Sequence, residues 1–435
     1  MDKQSRFKEF ARCTALSVLG TLGVSCYILA DTFFVSKGLG TKGLAALNLA
    51  IPVYNFIHGT GLMLGMGGAT RFSVCKSQGK QEEVNRIYVN TLYLAGLSAA
   101  VFAAAGLVFS TRLAAALGAD QAVMDMTDTY LRWLLLFAPA FILNDVFLCF
   151  VRNDQAPQLS MIAMVTGSFA NIVLDYIFIF PMKMGIFGAV FATGLSPVIS
   201  MAMMVPHWVR RKNTFHFVRA KVSGRIAGQE VSLGFPSLIA QVSSGVVMII
   251  FNGIILKLEG NTGVAAYGVI ANISLVVNGV YTGIAQGAQP LISGFYGKGD
   301  RRQSGQIFRY AVGTMAVLSC GFYLFLFVFA GHITGVFNSE NDPALQMIAV
   351  PGLKLYFLCS WFLGYNTILA TYFTSVEKAL PAHVLSMLRG FVLIIPMAIA
   401  LSALRGVTGV WLAYPLTELA AAGVGCAVYN KDLRR

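Results

Sequence analysis

Residues 167–197 read GSFANIVLDYIFIFPMKMGIFGAVFATGLSP, two apolar runs of membrane-helix character joined by a short turn, with one aspartate inside the first. Asp175 has hydrophobic residues for two turns on either side. A carboxylate at the centre of a bilayer costs roughly 2.5–3.5 kcal/mol even on lenient insertion scales, so Asp175 requires partners. Asn171 lies one helical turn earlier and shares its face, and Thr193 on the next run can approach both across the hairpin. Together they make a candidate polar pocket for a proton or a small cation. The bland alternative is a hydrogen bond that merely joins two helices, but such bonds are usually built from Ser, Thr or Asn rather than an ionisable acid.

The surrounding chain has the same character. Of its 435 residues 56% are hydrophobic and 12% charged, and the mean hydropathy is +0.69, far more apolar than an ordinary soluble protein. Windows of about 20 apolar residues fall near 13–36, 44–73, 88–110, 130–151, 158–181, 185–209, 231–256, 265–293, 307–331, 350–375, 380–403 and 406–429. The expected fold is therefore an all-α polytopic membrane protein of twelve transmembrane helices. The first run is too long for a signal-peptide core, so no cleavage is expected. The formal net charge of +13 does not point to nucleic acid, because the basic residues are sorted by side: 24 of the 32 Lys and Arg fall in, or nearest to, the tails and the even-numbered connections. By the positive-inside rule both termini are expected in the cytoplasm. Acids without basic neighbours, such as Asp120, Asp125, Asp128, Glu340 and Asp342, lie in opposite-side loops. The seven cysteines are scattered with no CxxC pair and read as small packing residues.

The chain repeats itself. GLMLGMGGATRFSVCKSQGK (61–80) matches GVYTGIAQGAQPLISGFYGK (279–298) at an offset of 218, and GIFGAVFA (185–192) matches GVTGVWLA (406–413) at 221. Each half has an even number of spans, so both enter from the same side and the repeat is parallel, which makes two bundles with a cleft between them. The expected division is an N-terminal lobe over 1–209, a linker over 210–228 rich in basic residues, and a C-terminal lobe over 229–435.

The halves differ in charge. Asp31 and Asp145 join Asp175 inside first-half spans, whereas the second half carries only Glu418 among neutral groups such as Gln286 and Gln289. Ionic coupling is therefore expected in the first lobe, at Asp175 with Asp31, Asn171 and Thr193. Asp145 is a secondary candidate without an evident cluster of polar partners, and Arg152 two turns on suggests that it orients its helix end. His58 reads as a structural histidine. The GLGTKG stretch (38–43) follows no strand and is a turn rather than a nucleotide loop. The cleft walls are expected from the second and eighth spans, where Met63, Met66, Tyr281 and Gln286 can adapt to varied cargo and Tyr281 can present its ring to a cation.

Taken together, DTFFVSKGLG (31–40), GLAALNLAIP (43–52), NDQAP (153–157), NIVLDYIFIF (171–180), GIFGAVFATG (185–194) and QPLISGFYGKGD (289–300) resemble the multidrug and toxic compound extrusion (MATE) family of secondary transporters over nearly the whole chain. The resemblance implies a V-shaped pair of six-helix lobes and an antiporter driven by protons or sodium, with bulky organic, mostly cationic compounds as cargo. It also implies that Asp31, Asn171, Asp175 and Thr193 hold the coupling ion, as metal ligands if that ion is Na⁺. No other cofactor is implied, and the expected partners are small organic substrates and the lipid bilayer, with the protein a monomer in the cell membrane. Some relatives bend the first helix at a proline. This first span has Gly20 and Gly23 and no proline. The competing class within transport is a lipid-linked saccharide flippase, which calls for a strongly cationic cleft. A membrane-embedded enzyme would show HExxH, GxSxG or a catalytic His and acid paired on one face, and the sequence offers none. A channel suits two repeated lobes with Pro and Gly inside spans less well than alternating access does.

Overall fold

The computed structural model describes residues 3–338 and 342–433; Glu340 of the expected outer loops lies outside them. Every apolar window becomes helix, and no strand occurs among the described residues. The twelve spans are not all separate rods. The helix Lys3–Ser77 is two spans broken at Gly40, Gly224–Gly297 is two broken at Gly260, and Ile394–Leu433 is interrupted at Arg405 and Gly406. The fourth span bends by 46° between Met124–Leu136 and Ala138–Asn153, where Pro139 enters the second segment. The third, fifth, sixth and ninth spans are Gln81–Ala116, Pro157–Ile179, Gly185–Val209 and Arg301–Phe337. The tenth runs from Pro343–Tyr356 into Ser360–Ser375, and the eleventh passes from Ala379–Met387 through a π-helical turn at Leu388–Val392 into residues from Ile394 on.

The parallel repeat is visible in the backbone. Gly40 and Gly260 adopt nearly the same left-handed conformation, φ 67° and 63° with ψ −160° and −155°, where an L side chain would be strained. Gly79 pairs with Gly299, Gln155 with Glu377, and Gly185 with Gly406 in the same way, all with positive φ. These equivalences correct the register of the second and eighth spans, which is 220 residues rather than 218. Gly59 and Gly67 face the seventh span, at Leu238 and Glu230, and Gly279 and Gly287 face the first, at Ser25 and Thr14. The offset of 218 matched more letters, but it misaligned the faces that touch the opposite lobe.

Each half builds its own apolar core. One centres on Val35, Ile57, Phe72, Leu134 and Phe150, the other on Phe251, Ile284, Phe308, Leu369 and Trp411. The lobes meet along two symmetric seams, the second span on the seventh and the eighth on the first. Backbone contact is so close that a Cβ at Gly234 would fall 1.7 Å from the Met63 carbonyl oxygen, and one at Gly283 2.6 Å from Val18 Cα. Toward the end of the molecule that carries the termini the seam is also polar. Arg71 Nη1 donates to Glu377 Oε1 at 2.5 Å, and Asn153 Nδ2 donates to Gln289 Oε1 at 2.8 Å. Gln289 Nε2 in turn donates to Thr70 Oγ1 at 3.1 Å.

The segment between the lobes is not a free tether. Phe215 is fully buried among Tyr88, Phe150, Phe72 and Trp208, with ring centroids 4.5–5.9 Å apart. Asp154 fastens the same segment. Its carboxylate accepts from Lys76 Nζ at 2.5 Å, from the Thr214 amide at 2.9 Å and from the Thr214 hydroxyl, and pairs with His207 Nε2 at 2.9 Å. Burial pushes this carboxyl up, but the hydrogen bonds from His207, Lys76 and Thr214 outweigh it and hold it below the usual carboxylate range.

Two predictions follow from this surface. A depressed folded pKa contributes stability that is present above the unfolded value and lost only as pH falls through the folded one. Linker docking should therefore stay intact from neutral pH down to about pH 4; Asp154→Asn should instead raise proteolytic nicking near Thr214 at every pH. For orientation, Asn213 is a poor reporter because it is buried and donates to the Phe215 carbonyl at 2.6 Å, whereas Lys221 is exposed. In a cysteine-depleted variant, Lys221→Cys should resist an impermeant thiol reagent in intact cells and react in opened ones; labelling from outside would invert the topology.

Candidate ion-coupling site

The first and fifth spans run side by side through a row of small residues. A Cβ on Gly20 would lie 2.9 Å from Met164 Sδ, one on Gly23 3.5–3.6 Å from Val165 and Ser168, and one on Gly38 2.3 Å from Ile179. Gly20 and Gly23, in a first span without proline, thus serve close helix contact. Between these contacts Asp31 and Asp175 face each other near enough for each to act on the other's charge. The fifth span is drawn equally close to the sixth, where Ser196 Oγ donates to the Gly167 carbonyl at 2.8 Å. That contact sets Thr193, one turn from Ser196, at about the level of Asn171, one turn from Gly167. Asp31, Asn171, Asp175 and Thr193 are all buried, Asn171 and Asp175 completely.

The pocket is short of internal partners. Asp31 Oδ1, both Asp175 carboxylate oxygens and Asn171 Oδ1 and Nδ2 are buried without a hydrogen-bond partner among the described residues. Buried polar atoms are rarely left so. Four oxygens from two acids and an amide are the donor type that hard cations take, and a proton shared between the two carboxylates would satisfy part of the set equally well. Thr193 already donates to the Ala189 carbonyl at 3.0 Å, which leaves its oxygen free to accept or coordinate. Sequence reasoning missed Tyr130. This buried tyrosine hydrogen-bonds Thr193 and lies within the field of both acids, but a tyrosine in an apolar run gives no sign of which helix it faces.

Asp145 has a partner after all. His58 Nδ1 lies 2.7 Å from its Oδ2, so His58 is not a lone structural histidine, and Arg152 instead reaches Met164 Sδ at 3.8 Å. Glu418 is neutralised as well: Arg389 Nη2 is 3.0 Å from its Oε1, Asn366 Nδ2 donates to Oε2 at 2.7 Å, and Arg389 Nη1 donates to Thr367 Oγ1 at 3.1 Å. Arg389 is not a surface base: it sits in the π-helical turn inside the second lobe. One more acid escaped the sequence reading. Glu230, fully buried at the start of the seventh span, lies at the seam against Gly67 with Asn90 Nδ2 3.4 Å away.

The expected cleft residues divide. Met63 lies at the seam through its contact with Gly234, and Gln286 is nearly buried with its side-chain oxygen unpartnered. Tyr281 and Met66 do not line a cleft. Tyr281 is fully buried in the second-lobe core, hydroxyl on Ser319 at 2.7 Å, and Met66 packs in the first-lobe core. Both lie on helix faces turned into their own lobes, which the misplaced repeat register concealed.

The MatE family model matches residues 17–177 and 236–400. A multidrug export protein MepA from Staphylococcus saprophyticus is 25% identical over 413 residues, covering 94% of this chain and 90% of that protein. A MOP superfamily transporter from Pyrococcus furiosus superposes with a TM-score of 0.90 at 24% identity, over 97% of this chain and 94% of the other. An outward-facing multidrug resistance MATE transporter gives the same TM-score and coverage at 23% identity.

Breaking the second-lobe ion pair from one side should be costly. Glu418→Gln leaves a buried guanidinium uncompensated, a loss of about 3–5 kcal/mol, and should lower the melting temperature in detergent sharply. Pairing it with Arg389→Met should recover most of that loss; a double variant no better than the single would show that Arg389 is compensated elsewhere.

Proposed function

This chain belongs to the MatE family, and on that premise we propose that it is a cation-coupled antiporter. It exports bulky organic, mostly cationic compounds by alternating access. Membership makes it a multi-pass membrane transporter and not an enzyme. The observation that carries the coupling assignment is the cluster of unpartnered oxygens on Asp31, Asn171 and Asp175, buried between the first and fifth spans. Such a set is stable only when a proton or cation occupies it or when water reaches it. Ion binding and release are therefore tied to rearrangement of the lobe.

Antiport further requires that occupied and empty forms favour different lobe arrangements, because a ligand shifts an equilibrium only through differential affinity. The lobes over 1–209 and 229–435 are the moving units, and the polar seam at Arg71, Glu377, Asn153 and Gln289 is what parts when the face carrying the termini opens. That face is cytoplasmic and the protein acts as a monomer in the cell membrane. No further cofactor takes part, the coupling ion being H⁺ or Na⁺.

Purified protein in liposomes, given a proton or a sodium gradient separately, should drive ethidium flux under one of them. Asp175→Asn should abolish that flux at matched protein levels, since the amide keeps the shape but can neither carry the proton nor supply the charge. Asp31→Asn is expected to be the next most sensitive, and Tyr130→Phe milder. Full gradient-driven flux in Asp175→Asn would refute the assignment.

A further inference from the structure

The first lobe holds a second ionisable centre. Around the second span, Gly61 and Gly65 face the fourth span, where a Cβ on Gly61 would lie 2.6 Å from Asp145 Oδ2. Gly59, Met63 and Gly67 face the seventh span, and Gly68 faces Thr91 of the third. Between the faces turned to the fourth and seventh spans lie Asn55, His58 and Leu62, spaced by three and four residues and so on one face; all three are partly exposed, and Asn55 borders the seventh span at Gly245. That face opens on the space between the lobes. It does so just beyond the level where Gly59 meets Leu238 and Gln241.

His58 is 24% exposed there while Asp145 behind it is 5% exposed, so the carboxylate is reached from the cleft past the imidazole. Tyr54 stacks on His58 with ring centroids 5.9 Å apart and planes at 13°. Its hydroxyl bonds that of Tyr27 at 2.6 Å. Other charges act from further off: Arg152 on Asp145 from the same span, and Asp31 on the Tyr27–Tyr54 pair from the first. The seventh span presents Leu238 and Gln241, which do not titrate.

We propose that His58 and Asp145 form a cargo site at which an organic cation and a proton compete for one carboxylate. The proposal rests on the cationic-cargo reading above. When His58 is protonated it serves as the internal counter-ion of Asp145. When it is neutral, a cation entering from the cleft takes that place, with the Tyr54 ring as a second favourable surface. The exchange replaces one positive charge by another, so the net charge of the buried centre is unchanged, and a carboxylate removed from water gains much from either partner. Histidine is the side chain whose charge changes near physiological pH. Cargo is then held on the more alkaline side and released on the more acidic one, which is the direction a proton antiporter needs, and by linkage each ligand weakens the other equally.

The test uses the purified full-length protein in detergent, with ethidium as the cationic probe and N-phenyl-1-naphthylamine as a neutral one. Wild-type protein should bind ethidium about fourfold or more weakly at pH 6 than at pH 8, with the neutral probe indifferent to pH. His58→Gln should bind ethidium near the wild-type pH 8 affinity at both pH values. Asp145→Asn should bind it weakly at both while holding the neutral probe as before. Ethidium binding by Asp145→Asn at wild-type affinity with its pH dependence intact overturns this site alone. So does an equal loss of both probes in that variant, since the role would then be structural. Failure of the wild type to bind ethidium at pH 8 overturns the cationic-cargo reading and this site with it.

Discussion

The molecule depends on the close approach of the first span to the fifth. Asp31 and Asp175 repel each other when both are ionised, and each alone is costly in a membrane interior. They are nonetheless held together because Gly20, Gly23 and Gly38 leave no side chain between the helices. Packing supplies the opposing force: without water to drive helices together, association in a bilayer rests on tight contact and hydrogen bonds. These glycines act as the surface that forces two acids into one pocket. Bending at this helix would separate the pair, so the proposed coupling would link ion occupancy to helix shape even without a proline.

What was legible in the sequence is what periodicity and composition encode. Twelve apolar runs and a parallel repeat come from local pattern, and Asp31, Asn171, Asp175 and Thr193 stand out because polar residues are conspicuous in apolar runs. What was not legible depends on contacts between helices far apart in the chain. Tyr130 meets Thr193, His58 meets Asp145 and Arg389 meets Glu418 across separations that no spacing rule connects. Tyr281 shows the converse. Its residue type suited a cleft, but rotation of the helix decides which way a ring points, and a shift of two residues in the repeat register rotates the assigned face by more than half a turn.

The two lobes handle buried charge in different ways. In the second, Glu418 is closed off by Arg389, Asn366 and Thr367 acting together, so no free ion is needed to balance it. In the first, the oxygens of Asp31, Asn171 and Asp175 lack partners and Asp145 is balanced by a histidine. Glu418 thus has no electrostatic reason to respond to an ion gradient, whereas acids that lack a counter-charge, Asp31 and Asp175 in the first lobe and Glu230 at the seam of the second, change energy whenever an ion arrives or leaves. The repeat supplies two similar scaffolds, and the pairing of unpartnered acids inside the first is what sets it apart as the proposed sensor.

That asymmetry sets a requirement on how the sensor reaches the rest of the molecule. Tyr27 on the first span and Tyr54 on the second bond each other through their hydroxyls; Asp31 acts on both through its charge and Tyr54 stacks on His58, and these are also the spans that touch the eighth and seventh at the seams. A change of occupancy at Asp31 therefore acts on a helix that carries both the ion site and an inter-lobe surface. The seam contacts at Gly283 and Gly287 are too close to deform gradually, since backbone already lies against backbone. Packed interfaces of that kind shift between discrete arrangements, so under the coupling proposed above a single proton or cation would part the lobes in one step.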